Sequence, residues 1–376
     1  MTTTEVASTT EHSADSPRRV PPPKPLTERA DFRVWTVTMI FLTFAALLAG
    51  IGAVVIARDA NRKGGTAASG PGIAAYPGQK IDFTATAPAG LKVRSPEAPA
   101  PLAGTVHDIT LHIKEARVAI APGVTQTAWT FGGTVPGPVY RGKIGDTFNF
   151  TIVNDGKITH SMDFHAGMVS PSTAMVPIDP GKTHQYTFKA NRSGIFMYHC
   201  GTPPVLMHIG SGMYGAVIID PPGLAKVDHE YVMVQSELYT GPKGALPELG
   251  KLLDEQYDAV AFNGYVNQYK FAPIRVEPNN RVRVWVIDDG PSQASSFHVI
   301  GTIFDTVFKE GAYLLRPDGP GGAQALDLAA AQGGFVEFSP SEVGNYAFVT
   351  HKFNDASRGA VGIFQVGDVP AAGGGH

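Results

Sequence analysis

An uncharged apolar run, VWTVTMIFLTFAALLAGIGAVVIA, extends from Val34 to Ala57. At about 1.5 Å per residue it is long enough to cross a ~30 Å hydrocarbon core. The core of a cleaved signal peptide is usually about 7–15 residues long and nearer the N-terminus, so residues 34–57 read as an uncleaved transmembrane helix. Residues 1–33 are polar, rich in Ser, Thr and Pro, and read as a disordered tail. Arg18, Arg19, Lys24, Arg29 and Arg33 precede the run, and only Arg58, Arg62 and Lys63 follow closely. That asymmetry predicts an N-terminus inside and everything beyond residue 57 outside, a single-pass protein of the cell membrane. Residues 58–103, with a Gly/Ser/Pro/Ala-rich stretch from Gly64 to Pro101, read as a linker holding the body off the membrane.

From about residue 105 the pattern becomes short alternating strands, among them Val106–Ile113, Thr147–Val153, His184–Phe188 and Gly215–Ile219, separated by Gly, Pro, Asn and Asp turns. This predicts an all-β sandwich or barrel. Helical periodicity is scarce. Leu246 to Tyr257 is the exception, with Leu249, Leu252 and Leu253 forming one face of a short helix.

The body reads as two copies of one unit. RGKIGDTFNFTIVNDG (Arg141–Gly156) aligns without gaps on RVEPNNRVRVWVIDDG (Arg275–Gly290), each ending in an Asp-Gly turn. GIFMYHCG (Gly194–Gly201) aligns on GNYAFVTH (Gly344–His351), which puts Thr350 opposite Cys200. Two antiparallel β-sandwich domains follow, 104–224 and 225–366, with a short tail at 367–376.

Composition narrows the class. Gly (43) and Pro (30) fit a turn-rich β chain, and a formal net charge of −3 offers no electrostatic case for nucleic acid. Cys200 is the single cysteine, so an internal disulfide, a CxxC pair and a cysteine-ligated cluster are excluded.

The chemistry gathers around that cysteine. In CGTPPVLMHIGSGM one loop delivers Cys200, His208 and Met213, and His160 comes from a distant strand. One thiolate, two imidazoles and one thioether make the donor set of a blue-copper electron-transfer centre. Consecutive strand residues point to opposite faces, so His199 turns away from Cys200 towards a second site. There it joins His165 and a further histidine, most plausibly His351, and three neutral imidazoles with an open position make a catalytic metal site. The covalent path His199–Cys200 would connect the two metals.

HSMDFH (160–165), YHCGTPPVLMHIGSGM (198–213), SSFHVIG (295–301) and FVTH (348–351), in this order on a two-repeat β chain, resemble the copper-containing nitrite reductases of the two-cupredoxin-domain type. The resemblance covers about residues 105 to 366. It implies two tandem cupredoxin-like Greek-key sandwiches and two coppers per chain: type 1 at His160, Cys200, His208 and Met213, and type 2 at His165, His199 and His351. It further implies Asp163 and His298 as the catalytic acid pair, and Ile300 as the cap of the substrate pocket. The implied assembly is a homotrimer in which His351 reaches the neighbouring subunit's His165 and His199. The implied reaction is one-electron reduction of nitrite to nitric oxide and water, fed by a donor such as a cytochrome c or a small cupredoxin. The Cys200–His208 loop is one residue shorter than in the best-known members, with Met207 where tryptophan often stands, which resembles the short-loop subgroup.

Two other readings use the same residues. A two-domain laccase-like oxidase needs about eight histidines, mostly as His-x-His pairs, and this chain has none. A membrane-tethered cupredoxin electron carrier needs only the first site, and His165, His199 and His351 argue against it. His107, His112, His184, His229 and His376 read as surface or strand positions.

Overall fold

The computed structural model describes residues 76–369, so the tail and the apolar run Val34–Ala57 lie outside the described residues. Among the described residues no helix is long and apolar enough to cross a membrane.

The first repeat contributes β1 (Val106–Ala121), β2 (Val124–Phe131), β3 (Tyr140–Lys143), β4 (Thr147–Asn154), β5 (Asp163–Phe164), β6 (Thr183–Lys189), β7 (Gly194–His199) and β8 (Tyr214–Asp220). They form two sheets, ordered β2-β1-β4-β6 and β3-β8-β7-β5. The second repeat contributes β9 (His229–Leu238), β10 (Ala259–Phe262), β11 (Ile274–Val276), β12 (Val282–Asp288), β13 (Ser295–Val299), β14 (Thr306–Lys309), β15 (Ala312–Leu315), β16 (Leu326–Leu328), β17 (Gly333–Phe338), β18 (Gly344–Thr350) and β19 (Val361–Val366). Its sheets run β10-β9-β12-β17-β14-β15 and β11-β19-β18-β13-β16.

Removing β14, β15 and β16 leaves the same strand order in both repeats, as the internal alignment predicts. The sheets are mixed rather than purely antiparallel. β1 runs parallel to β4 and β3 to β8, and the same holds for β9 with β12 and β11 with β19. Each of these pairs joins strands whose connection passes through the opposite sheet, so no hairpin forces them antiparallel.

Each sandwich buries its own core. Phe148, Phe150, Phe164 and Phe188 fill the first; Phe262, Phe297, Phe348 and Phe364 fill the second. A third apolar layer joins them, with Ile195, Met197, Ala216 and Ile218 of β7 and β8 against Val232, Val234, Trp285 and Ile287 of β9 and β12. For this reason β12 is buried along its whole length, while the equivalent β4 alternates. Polar groups fix the same junction. Arg141 of β3 pairs with Asp220 at 2.8 Å and Glu230 at 2.8 Å, and Arg283 of β12 pairs with Glu230 at 3.0 Å and Glu337 at 2.6 Å.

One local expectation changes, and one is narrowed. Residues 76–103, expected to be a free linker, run along the body as a strap. Ala98 N donates to Glu230 O at 2.9 Å, Val232 N to Pro96 O at 2.8 Å, and Arg94 reaches the carbonyls of Pro136 and Gly137. Its small residues let the backbone lie close enough to bond to the sheet edge. The helix expected over Leu246–Tyr257 is short. Of the five helices among the described residues, α1 (Pro171–Ala174), α2 (Val205–Gly210), α3 (Leu249–Leu253), α4 (Gln268–Phe271) and α5 (Phe353–Ala356), it is α3, with Leu252 buried and Leu253 exposed.

Candidate metal centre

Three of the four expected type 1 residues converge on one buried point. His160 follows the β4 turn and is held by a two-way backbone bridge to Ile178. Asn154 shapes that turn, its side-chain amide donating to Ile158 O at 2.8 Å and Ile178 O at 2.7 Å. Cys200 directly follows β7, and His208 sits on α2. Their donor atoms lie close together: His208 Nδ1 is 3.3 Å from Cys200 Sγ, His160 Nδ1 is 3.9 Å from it, and the two Nδ1 atoms are 3.2 Å apart.

Met213 is buried in the same core, and its backbone closes the loop: Met213 N donates to His208 O at 3.1 Å and Cys200 N donates to Met213 O at 3.2 Å. Gly212, at φ 116°, makes that closure possible. A Cβ there would stand 2.5 Å from Val135 Cγ2.

Electrostatics suit metal binding. Burial pushes the His160 and His208 imidazoles down to about 4, His208 adding to the effect at His160, so both are neutral and ligating at neutral pH. Ser161 N donates to Cys200 Sγ at 3.4 Å. A buried sulfur, two neutral imidazoles and a thioether buried in the same core fit a soft, redox-active ion such as copper.

Sequence reasoning missed two residues of this site. The Trp129 ring lies 4.6 Å from that of His208, and Ser161 Oγ accepts Gly201 N at 3.1 Å. Trp129 stands on β2, remote from the ligand loop, and only its rarity as one of three tryptophans marks it.

The second cluster opens on the other face of β7. Asp163 of β5 is registered directly opposite His199, which puts both side chains on one side of the sheet. His165 joins them, its Nε2 3.0 Å from His199 Nε2, and Asp163 Oδ2 lies 3.8 Å from both. His199 Nδ1 lies 3.0 Å from Cys200 O and donates to it, which leaves Nε2 as the ligating atom. Burial and the neighbouring His199 push the His165 imidazole down, with Asp163 opposing.

His351 does not join this cluster within one chain. Its ring faces His298 at 5.5 Å and Phe353 at 4.8 Å. His298 Nδ1 donates to Gln324 O, which leaves Nε2 outward. His298 lines a depression of 610 Å³ with Thr302, Ile303, Gly322 and Gln324, and Ile300, Ile303 and Phe353 are exposed nearby. Asp163 and His298 therefore stand in two separate clusters, one with two imidazoles and a carboxylate, the other with two imidazoles and an apolar rim. His107, read as a surface or strand position, lies on β1, where it is buried and bonded to Asp146 at 2.9 Å.

Comparisons with known proteins agree with this chemistry. Residues 112–223 match a family model described as multicopper oxidase. A copper-containing nitrite reductase of Neisseria meningitidis serogroup B is 36% identical over 269 residues, covering 69% of this chain and 68% of that protein. One from Alcaligenes xylosoxydans xylosoxydans is 30% identical over 272 residues, covering 64% of this chain and 79% of that one. Among solved structures, the copper nitrite reductase of Nitrosomonas europaea superposes with a TM-score of 0.64 at 35% identity, covering 72% of this chain and 98% of that one.

Proposed function

The chain belongs to the copper-containing nitrite reductases, and from that premise we propose how its residues divide the copper-dependent reduction of nitrite to nitric oxide. The observation that carries the reading is that consecutive residues, His199 and Cys200, enter two separate donor clusters. His160, Cys200, His208 and Met213 would hold type 1 copper. His165 and His199, with His351 of a neighbouring subunit in a homotrimer, would hold type 2 copper. Copper supplies a one-electron couple at the first set and a Lewis-acidic position for nitrite at the second.

The chain's own residues handle the rest. Nitrite, two protons and one electron give nitric oxide and water. Asp163 lies beside both imidazoles of its cluster and is placed to pass a proton to the departing oxygen. His298, oriented by Gln324 O, presents Nε2 for the second proton, and Ile300 caps the pocket. The bond path Cys200–His199 is the shortest covalent connection between the clusters.

In this reading residues 104–224 and 225–366 are the two cupredoxin domains. The run 34–57 tethers them on the outer face of the cell membrane, where a cytochrome c or a small cupredoxin delivers electrons.

The test is anaerobic nitric oxide release from nitrite by the copper-loaded chain and a reduced artificial donor, with copper counted per chain. Two coppers and robust release, with release lost in His165→Ala, are the expected result. One copper, a type 1 colour and no release would replace this reading with the electron-carrier one.

A further inference from the structure

Strand β12 ends at Asp288, and Asp289 follows it; each is 1% exposed. The charged neighbours of Asp288 are Glu237 of β9 and Lys352 and Asp355 beside α5. Asp289 is within electrostatic reach of Asp288 and of the Tyr198 and Tyr214 hydroxyls of β7 and β8.

Neither carboxyl is answered. Among the described residues, both oxygens of Asp289 and Oδ2 of Asp288 have no hydrogen-bond partner, and Asp288 Oδ1 receives only Gly290 N at 3.2 Å. Arg94 directs its terminal nitrogens to Pro136 O and Gly137 O instead. An ionised carboxylate enclosed without donors is among the costliest arrangements a fold can keep, so these groups hold their protons. Burial accordingly pushes both well above the usual carboxylate range, Asp288 adding to the effect at Asp289.

Hydrogen bonds run from the Asp289 backbone towards β13, which carries His298, and among the groups around Asp288 towards His351, which follows β18. Ser295, three residues before His298, donates to Gln235 Oε1 at 2.7 Å, and Gln235 O accepts Asp289 N at 2.9 Å. Lys352, which follows His351, lies 3.1 Å from Asp355 Oδ2 and donates to Gln293 Oε1; Gln293 N in turn donates to Glu237 Oε1 at 2.6 Å. The Lys352 side chain is one-third exposed and opens this end of the network to solvent.

We infer that Asp288 and Asp289 are an internal proton store for nitrite reduction, discharged towards the His298–His351 cluster and refilled from solvent at its Lys352 end. This rests on the nitrite-reductase reading. In discharge the carboxyl O–H bond breaks, its proton passes through internal water to replace the one His298 gives to the departing oxygen, and a solvent proton later re-forms the O–H. Electrons reach nitrite separately from the external donor. A site serving the fold alone would accept an apolar or amide side chain without loss.

The test uses the copper-loaded full chain, wild type, Asp288→Asn, Asp289→Asn and the double variant. Infrared spectroscopy at neutral pH should show the carbonyl band of buried protonated carboxyls in the wild type, lost stepwise in the variants. Turnover with nitrite should match the wild type at acid pH and fall about tenfold on the alkaline side in the double variant. A missing band in the wild type, an unchanged pH profile, or an equal loss at every pH would overturn the store. A wild type with the band but no nitric oxide release would instead overturn the nitrite-reductase reading, and with it the purpose given to the store.

Discussion

Thr350 stands in the second sandwich where Cys200 stands in the first: Ser296 N donates to Thr350 Oγ1 at 3.0 Å, as Ser161 N donates to Cys200 Sγ at 3.4 Å. The second repeat keeps the scaffold of a metal site and lacks its donors, since Ser295 occupies the place of His160. Cys200→Thr should therefore fold normally, lose the visible type 1 absorption, and bind one copper per chain instead of two. Absorption spectra and metal analysis of the same sample check this; a retained colour would remove Cys200 from the ligand set.

Asp163→Asn keeps the size of the side chain and removes the acid beside His165 and His199. Turnover should fall by about 10²–10⁴, the usual range for a lost general acid, with the type 1 colour intact. Steady-state assays alongside visible spectra separate this outcome from loss of copper.

Asp289 makes a prediction about stability. A carboxyl whose folded pKa is raised contributes stability that is fully present below its unfolded value, about 3.9, and is lost as pH rises through the folded value. Relative to the wild type, Asp289→Asn should gain thermal stability progressively from about pH 4 upwards. A difference that does not vary with pH would show that Asp289 is not held protonated.

Arg283 is enclosed between Glu230 and Glu337, and Arg141 holds the other side of Glu230. Arg283→Ala leaves Glu230 to Arg141 and Glu337 to Arg281, removes the buried charge between them, and should cost about 1.5–3 kcal/mol. Denaturant unfolding at neutral pH measures it. A loss below about 1 kcal/mol would mean that the apolar layer around Trp285 alone holds the sandwiches together.

Much of the candidate site was legible in the sequence because its ligands are local. Cys200, His208 and Met213 fall in one loop, and strand alternation separates His199 from Cys200. The repeat was legible because β4 and β12, and β7 and β18, differ by one residue in length and keep their turn glycines. Burial between the sandwiches was not. Asp155-Gly156 and Asp289-Gly290 look alike as turns, yet Asp155 is exposed and Asp289 enclosed, because β12 packs a second face against the first repeat. The strap was hidden for a related reason. Gly, Pro and Ala make both flexible spacers and segments that lie flat on a sheet edge, and only the partner backbone distinguishes them.

His351 faces away from the cluster of its own chain, and this gives the protein a genetic signature. Under the proposed trimer, a gene carrying His165→Ala and another carrying His351→Ala each encode an inactive enzyme, because every ring made of one product alone lacks a ligand in all its sites. Co-expressed in one cell, the two defects fall on different halves of the shared site. With random mixing about a quarter of the sites would draw His165 from one product and His351 from the other. Two null alleles would restore nitrite reduction to each other, a rescue that no chain completing its own site can show.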